Sequence, residues 1–596
     1  MTSPAFGTTV RPTPGDRHEV DAAIRCLRVL GIRHVRLPLS LDDYTATGGA
    51  AWYDWLLPRL GGEFHLLPCL HERPGGAADF LRAVIERHGE AFDTVAVGVA
   101  DARLADVARA LGKVAVLTLG NPPGLASLRA LGESGVLAAF DGLCMPLAED
   151  EMVAICSEYN PGLRVWFSDI GPAGTLRTTA QLQAYREAMR APVERLYWCR
   201  LQDAPEEAAS GEGLYDSAGQ PRLLARLLSE GAAAVEEVAK LACPAIRSRR
   251  PVLVTGGAGF IGSNLVDRLA SLGHDVLVFD ALARPGVERN LRWLGRRHPQ
   301  RVSFAIADLR DGTALGEAAA TAEAVFHLAG QVAVTTSMQQ PAADFEVNAA
   351  GTLTLLETLR RRNPTAPLVF ASTNKVYGDL ADIALVRTDD RYLPSDPALR
   401  ARGVAEDRPL RFHTPYGCSK GAADQYVLDY AHSFGLRTAV LRMSCIYGER
   451  QLGTEDQGWV AHFLLKAIAG EPLTIYGDGA QVRDVMHVGD AVAAYLGAWR
   501  NIDEVAGRAY NLGGGPANAI SLLQLVAHLE TLVGRPLDIA LADWRPGDQR
   551  YFVADTGAAT ADLNLAAPLG WREGTARLAR HFGAGSAAMA ELETTP

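Results

Sequence analysis

Val252-Leu253-Val254-Thr255-Gly256-Gly257-Ala258-Gly259-Phe260-Ile261-Gly262 runs from an apolar stretch into a helical one. Gly256, Gly259 and Gly262 permit a tight turn, a close backbone approach to a pyrophosphate, and helix–sheet packing. The free N–H groups of the new helix, whose first turn holds Phe260 and Ile261, suit phosphate oxygens. Asp280 ends the next apolar run, 18 residues after Gly262. A carboxylate there accepts from an adenosine ribose and repels a 2′-phosphate, so the cofactor expected is NAD, not NADP. Arg284, close by, is the group that would instead accept that phosphate.

Further apolar runs at 276–279, 303–306, 324–327, 367–371 and 438–443 alternate with helical stretches, which predicts a parallel nucleotide-binding sheet. Ser372-Thr373 ends one of these runs. Tyr416-Gly417-Cys418-Ser419-Lys420 follows the glycine turn by about 155 residues and opens a helix. That spacing puts Tyr416 and Lys420 on one helical face. A neighbouring ammonium and the nicotinamide charge would lower the tyrosine pKa and make it a base for a hydroxyl proton. Lysine is scarce, five residues against 53 arginines, and two of the five, Lys375 and Lys420, lie in these motifs.

Together with His327-Leu328-Ala329-Gly330, Ser372-Thr373-x-x-Val376-Tyr377-Gly378 and Pro415-Tyr416-Gly417, these segments resemble the extended short-chain dehydrogenase/reductase family over about 251–580. The likeness is to its nucleotide-sugar epimerases and dehydratases. It implies catalytic roles for Thr373, Tyr416 and Lys420, with Lys420 on the cofactor ribose. It implies Asp308 and Leu309 beside the adenine, and Leu328 and Ala329 against the cofactor. Arg483 and Arg545 would clamp a substrate diphosphate, a task their two-pronged guanidinium suits. The family's 4,6-dehydratases carry Asp-Glu after the catalytic Thr, whereas this chain has Asn374-Lys375, which disfavours loss of water.

Ser372-Thr373-Asn374-Lys375-Val376-Tyr377-Gly378, Met443-Ser444-Cys445-Ile446-Tyr447-Gly448 and 453–460 are similar to the CDP-tyvelose (CDP-paratose) 2-epimerase subfamily. Asn374, Lys375 and Cys445 then become substrate contacts. Cys445 stands where many relatives have an asparagine, Glu449 where they have proline, and Gly330 where they have alanine. The implied reaction oxidises C2 of a CDP-deoxyhexose and reduces it from the opposite face, with NAD regenerated in each cycle. A UDP-hexose 4-epimerase is the alternative, and a carbohydrate-binding scaffold with structural NAD is the alternative outside enzymes. The resemblance also implies a dimer or tetramer of identical chains.

The first half reads differently. Eight short apolar runs at 5–9, 34–39, 64–70, 94–99, 114–118, 142–147, 163–168 and 195–201 alternate with helical stretches, the arithmetic of a (β/α)8 barrel. A doubly wound open sheet is the other reading. The division expected is 1–245 for the barrel and 250–596 for the NAD-binding domain, with a substrate lobe mainly from about 450 onward. Leu163-Arg164-Val165-Trp166-Phe167-Ser168-Asp169-Ile170-Gly171 resembles the seventh strand of clan-A glycoside hydrolases, with Asp169 in place of the nucleophilic Glu. Asp101 stands near the expected acid, and a retaining hydrolase needs both groups about 5–5.5 Å apart. Tyr197-Trp198 would form a sugar-stacking floor, with His71-Glu72 as further polar groups beside the pocket or in a solvated loop. The barrel is expected to bind or assemble, not hydrolyse.

Apolar residues at 48% and charged residues at 21% exclude a disordered chain, and a net charge of −11 argues against nucleic acid as partner. No run of about 18 apolar residues predicts a membrane span, and Met1-Thr2-Ser3-Pro4 lacks the form of a signal peptide. The eight scattered cysteines, without Cys-x-x-Cys, point to reduced thiols in a cytoplasm and to no metal site.

Overall fold

The computed structural model describes residues 4–594 except 47, 72–76, 120–124, 147–149, 171–177, 192, 204–212, 243–249, 455–456 and 546–547. The chain divides into two compact units, Met1–Lys240 and Leu241–Pro596. The linker expected at 245–250 lies almost wholly outside the described residues, as do Glu72, Gly171 and the middle of the 453–460 motif.

In the first unit, β1 (Ala5–Thr9), β2 (His34–Ser40), β3 (His65–His71), β4 (Thr94–Val97), β5 (Val114–Thr118), β6 (Gly142–Pro146), β7 (Arg164–Ile170) and β8 (Arg195–Trp198) form a closed parallel barrel in chain order. Closure comes from the β1–β8 pairing, with Ala5 opposite Arg195 and Thr8 opposite Trp198. The open-sheet alternative is thereby excluded. Leu67, Cys69, Ala96, Val116, Cys144, Trp166 and Tyr197 form one buried cluster.

Two expectations about this unit are corrected. Tyr197 and Trp198 are no sugar-stacking floor, because both are fully buried. Tyr197 belongs to the core cluster, and the Trp198 ring packs 6.3 Å from Phe6. Asp101 is no acid folded back to a pocket. Its carboxylate accepts from the backbone N–H of Arg103 at 3.0 Å, capping the helix Ala102–Ala110, and also pairs with the Arg103 guanidinium.

The second unit is built on β9 (Val252–Thr255), β10 (Val276–Asp280), β11 (Val302–Ile306), β12 (Val325–His327), β13 (Leu368–Thr373), β14 (Thr438–Met443) and β15 (Arg508–Leu512). They form an all-parallel sheet in the order β11-β10-β9-β12-β13-β14-β15. Its strands are apolar runs because helices cover a sheet of this kind on both faces. The order reverses between β9 and β12, and at such a switch point the carboxyl ends of the strands open a crevice. β15 was not anticipated: the chain leaves the sheet after β14, forms Cys445–Tyr447 and Val482–His487 of a smaller sheet, returns as β15, and then completes that smaller sheet with Ala519–Ser521 and Tyr551–Phe552. Among the described residues, no helix is long and apolar enough to cross a membrane.

Candidate functional site

The glycine turn joins β9 to the helix Phe260–Ser271. Gly256 has φ +69°, and a Cβ there would lie 2.6 Å from the Ala329 nitrogen. At Gly262 a Cβ would lie 2.1 Å from the Gly256 carbonyl oxygen. Leu328 and Ala329 donate to the Thr255 carbonyl and hydroxyl at 3.1 and 3.2 Å. These approaches exclude side chains, leaving bare backbone at a helix N-terminus, a cradle that fits a dinucleotide pyrophosphate.

Asp280 closes β10, and its two oxygens accept from the N–H groups of Ala258 at 3.0 Å and Leu282 at 2.9 Å. Burial pushes its carboxyl pKa up, against the pull of these amides and that of Gly259. Asp280 thus braces the glycine turn. Arg284 is exposed on the segment that follows. Replacing Asp280 by Ala is expected to weaken NAD by about 10–100-fold, the worth of a hydrogen bond to a charged group, and to reduce discrimination against NADP. Titration of the full chain with both nucleotides checks this; equal NAD affinity in parent and variant contradicts it.

Asp308 follows β11. Burial raises its pKa, but two hydrogen bonds from the Arg310 guanidinium and one from its N–H outweigh that and hold it low. The Leu309 side chain is packed into the sheet's core, so only its backbone is available to an adenine.

Thr373, Tyr416 and Lys420 meet at the end of β13. Tyr416 and Lys420 lie on the helix Thr414–Phe434, both buried. Burial pushes the Tyr416 phenol up to about 12, with a hydrogen bond to Thr373 opposing it. In the protein alone, burial thus outweighs what opposes it. Lys420 Nζ donates to the Ala371 carbonyl at 2.6 Å and sits 4.2 Å over the Phe370 ring. Burial lowers the Lys420 pKa to about 8, although Asp424 and Asp344 oppose this. Between pH 8 and 10.5 the unfolded chain therefore binds more protons, and ligand-free stability should rise with pH and be lost as pH falls through 8. Urea midpoints at pH 7.5 and 9.5 should show this rise in the parent and a smaller one in Lys420→Met; equal rises would refute it.

Several residues around these groups were given no role in the sequence reading, and Asp344, Asn348 and Asp424 lie outside its motifs. Asp344, Asn348 and Ser419 are buried together: Ser419 donates to Asp344, and Asn348 Nδ2 donates to Ser419 Oγ at 3.1 Å. Asn348 also accepts from the Gln331 N–H at 2.8 Å, within a π-helical turn, Glu346–Ala350. A methyl at Gly330 would lie 2.8 Å from Asn348 Oδ1. Ser372, beside Thr373, donates to Asp424 at 2.7 Å and faces the core. A signal did exist: Asp424 falls on the face of Tyr416 and Lys420, and Asp344 and Asn348 are spaced four apart.

The other expected residues gather on the far side of Thr373. Asn374 Nδ2 donates to Gln549 at 3.4 Å, and Lys375 Nζ lies 3.9 Å from Asp548. Arg483, on Val482–His487, donates to the same Asp548 carboxylate at 2.7 Å. Cys445 Sγ accepts from the Trp459 indole at 3.3 Å. Burial pushes this thiol up, and Arg483 opposes it. The Arg545 guanidinium lies 3.9 Å over the Tyr476 ring.

Residues 252–513 match the family described as "NAD dependent epimerase/dehydratase family". The chain is 42% identical to a CDP-paratose 2-epimerase of Salmonella typhi over 334 residues, 55% of this chain and 97% of that protein. It is 31% identical to a UDP-glucose 4-epimerase of Mycolicibacterium smegmatis, covering 55% of this chain and 97% of that protein. A solved UDP-glucose 4-epimerase of Thermus thermophilus, in complex with NAD, is 32% identical over 56% of this chain and 99% of its own, with a TM-score of 0.47. The chain belongs to the NAD dependent epimerase/dehydratase family.

Proposed function

We propose that residues 250–596 epimerise C2 of a CDP-deoxyhexose. The observation that carries this reading is the 42% identity to the CDP-paratose 2-epimerase across 97% of that protein's length. Asn374-Lys375 supports it, because neither side chain supplies the carboxyl pair that a dehydratase uses after its Thr.

The residues divide the work as follows. Gly256, Gly259, Gly262, Phe260 and Ile261 cradle the pyrophosphate of NAD, Asp280 holds its ribose, and Lys420 the other ribose. When bound, NAD supplies the hydride acceptor and the positive charge that offsets the burial of Tyr416. Thr373 and Tyr416 bind the C2 hydroxyl, and the Tyr416 oxygen takes its proton as the C2 hydrogen leaves. The same phenol returns the proton to the ketone oxygen once the sugar has turned over. Arg483 and Arg545 hold the diphosphate through that rotation, exchanging Asp548 and Tyr476 for phosphate oxygens.

Incubation of the full chain with CDP- and UDP-sugars, followed by NMR of the products, tests this directly. Inversion at C2 of a CDP-deoxyhexose is expected. Turnover of UDP-glucose with none of any CDP-sugar would establish the 4-epimerase reading, which the Mycolicibacterium smegmatis relative favours.

The setting proposed is a reducing cytoplasm, supported by the free thiols of the seven described cysteines. A homo-oligomer is proposed from Met338, Phe345, Tyr426 and Phe434, large apolar side chains about half exposed on neighbouring helices. Sedimentation of the chain as a monomer would contradict it.

A further inference from the structure

Behind Thr373 runs a chain of buried amides that the mechanism above leaves without a task. Gln549 is 0% exposed, Asn374 7% and Thr373 8%, so their polar atoms must find partners within the protein. Gln549 Nε2 donates to the Gly378 carbonyl at 2.6 Å, and Asn374 Nδ2 donates to Gln549 Oε1 at 3.4 Å. Thr373 Oγ1 donates to Asn374 Oδ1 at 3.4 Å. The direction of this chain is set at its far end. A carbonyl oxygen only accepts, so the Gln549 amide must turn its nitrogen to Gly378 and its oxygen to Asn374. Asn374 must meet that oxygen with its nitrogen, which leaves its own oxygen for Thr373. The Gly378 carbonyl is itself held in place. Gly378 has φ +75°, a Cβ there would run into the Arg411 carbonyl, and its N–H donates to the Lys375 carbonyl at 3.1 Å.

We propose that Gln549 is a positioning residue for the proton-carrying pair, setting through Asn374 which way the Thr373 hydroxyl points. This role rests on the reading of Thr373 and Tyr416 as the groups that handle the substrate proton. Thr373 has one proton and two acceptors for it: Asn374 Oδ1 and, once ionised, the Tyr416 oxygen. The Lys375 N–H, at 3.2 Å, occupies one lone pair of Thr373 Oγ1 and leaves the other for a neutral Tyr416. When Tyr416 is a phenolate, the Thr373 proton turns toward it. When Tyr416 carries its proton, it donates to Thr373, whose own proton turns back to Asn374. An acceptor on each side lets one hydroxyl serve both states, and a phenol that takes and returns a proton in every cycle passes through both. An apolar residue at position 549 frees Asn374 to reverse and offer its nitrogen to Thr373. The Thr373 proton then stays on Tyr416 and favours the phenolate.

Ultraviolet titration of the Tyr416 phenolate in the NAD-loaded full chain tests this, each protein being read against its own Tyr416→Phe counterpart. Gln549→Met is expected to lower the pH at which Tyr416 ionises by about 0.5–1 unit, the worth of one hydrogen bond. Gln549→Glu, ionised or protonated, still presents an oxygen to Asn374, so Tyr416 should ionise no lower than in the parent. An unchanged midpoint in Gln549→Met, or an equal fall in both variants, overturns the proposal. If Gln549→Met does not fold, Asn374→Ala, which removes the competing oxygen itself, decides: a similar fall is expected, and the parent's midpoint overturns the proposal. The titration needs no substrate, so it is read separately from the CDP- and UDP-sugar assay. Failure of that assay beside the expected titration removes the epimerase reading and leaves the direction of the amide chain standing.

Discussion

Tyr416→Phe should lower turnover by about 10²–10⁴-fold while leaving NAD occupancy nearly unchanged, because the variant keeps the ring and loses only the proton-carrying oxygen. The size of the loss follows from the site. Tyr416 is 8% exposed, so water has little access from which to replace its phenol. Lys420 points its ammonium at the Ala371 carbonyl, and Thr373 is a hydroxyl whose pKa is too high for the task. NAD should be retained because its proposed cradle is backbone at Gly256, Gly259 and Gly262, which the substitution does not touch. Single-turnover kinetics and the absorbance of bound cofactor check both halves. A Phe variant as active as the parent removes Tyr416 from the mechanism. A variant that loses NAD as well as activity makes it a structural residue.

Arg442→Met should destabilise the second unit by about 3–5 kcal/mol, the cost of leaving a buried charge unpaired. Arg442 and Asp424 are 5% and 0% exposed, and the guanidinium meets the carboxylate through two bonds of 2.9 Å. Arg442 also donates to the Tyr377 hydroxyl at 3.0 Å, and Tyr377 donates in turn to Asn511 at 2.8 Å. Ser372 completes the network on Asp424. β13, β14, β15 and the helix Thr414–Phe434 are thus tied by one polar chain directly behind Thr373. Met fills part of the volume but leaves Asp424 charged in the core. In Arg442→Met/Asp424→Leu both charges are gone, and replacing a buried pair by apolar groups is often close to neutral. Chemical unfolding of the four members of this cycle checks the claim. A single variant as stable as the parent, or a double variant worse than the sum of the singles, would sink it.

Much of the chemistry was legible in the linear chain because it depends on short-range constraints. The glycine turn needs backbone without Cβ at fixed spacing, and Asp280 needs only to end the next strand. Tyr416 and Lys420 need one helical turn between them. The eight barrel strands were legible for a related reason: a buried parallel strand must be an apolar run, whatever it pairs with. β15 escaped because Arg508-Ala509-Tyr510-Asn511-Leu512 is no such run. An edge strand can begin with an exposed Arg508, and Asn511 is buried only because Tyr377 and the Val404 carbonyl satisfy it.

What only the tertiary structure decided is the state of side chains whose partners are distant in sequence. By its place near the end of β4 Asp101 stands near the expected acid, and the direction of its carboxylate toward Arg103 makes it a helix cap instead. Tyr197 reads from the sequence as a pocket floor, and closure of β8 onto β1 puts it in the barrel's core instead. In the protein alone, burial acts on Tyr416 and Lys420 at once, moving the phenol up and the ammonium down. The sequence by itself determined which groups are present and at what local spacing. Desolvation and long-range pairing, which depend on the whole fold, determined their charge and what each one faces.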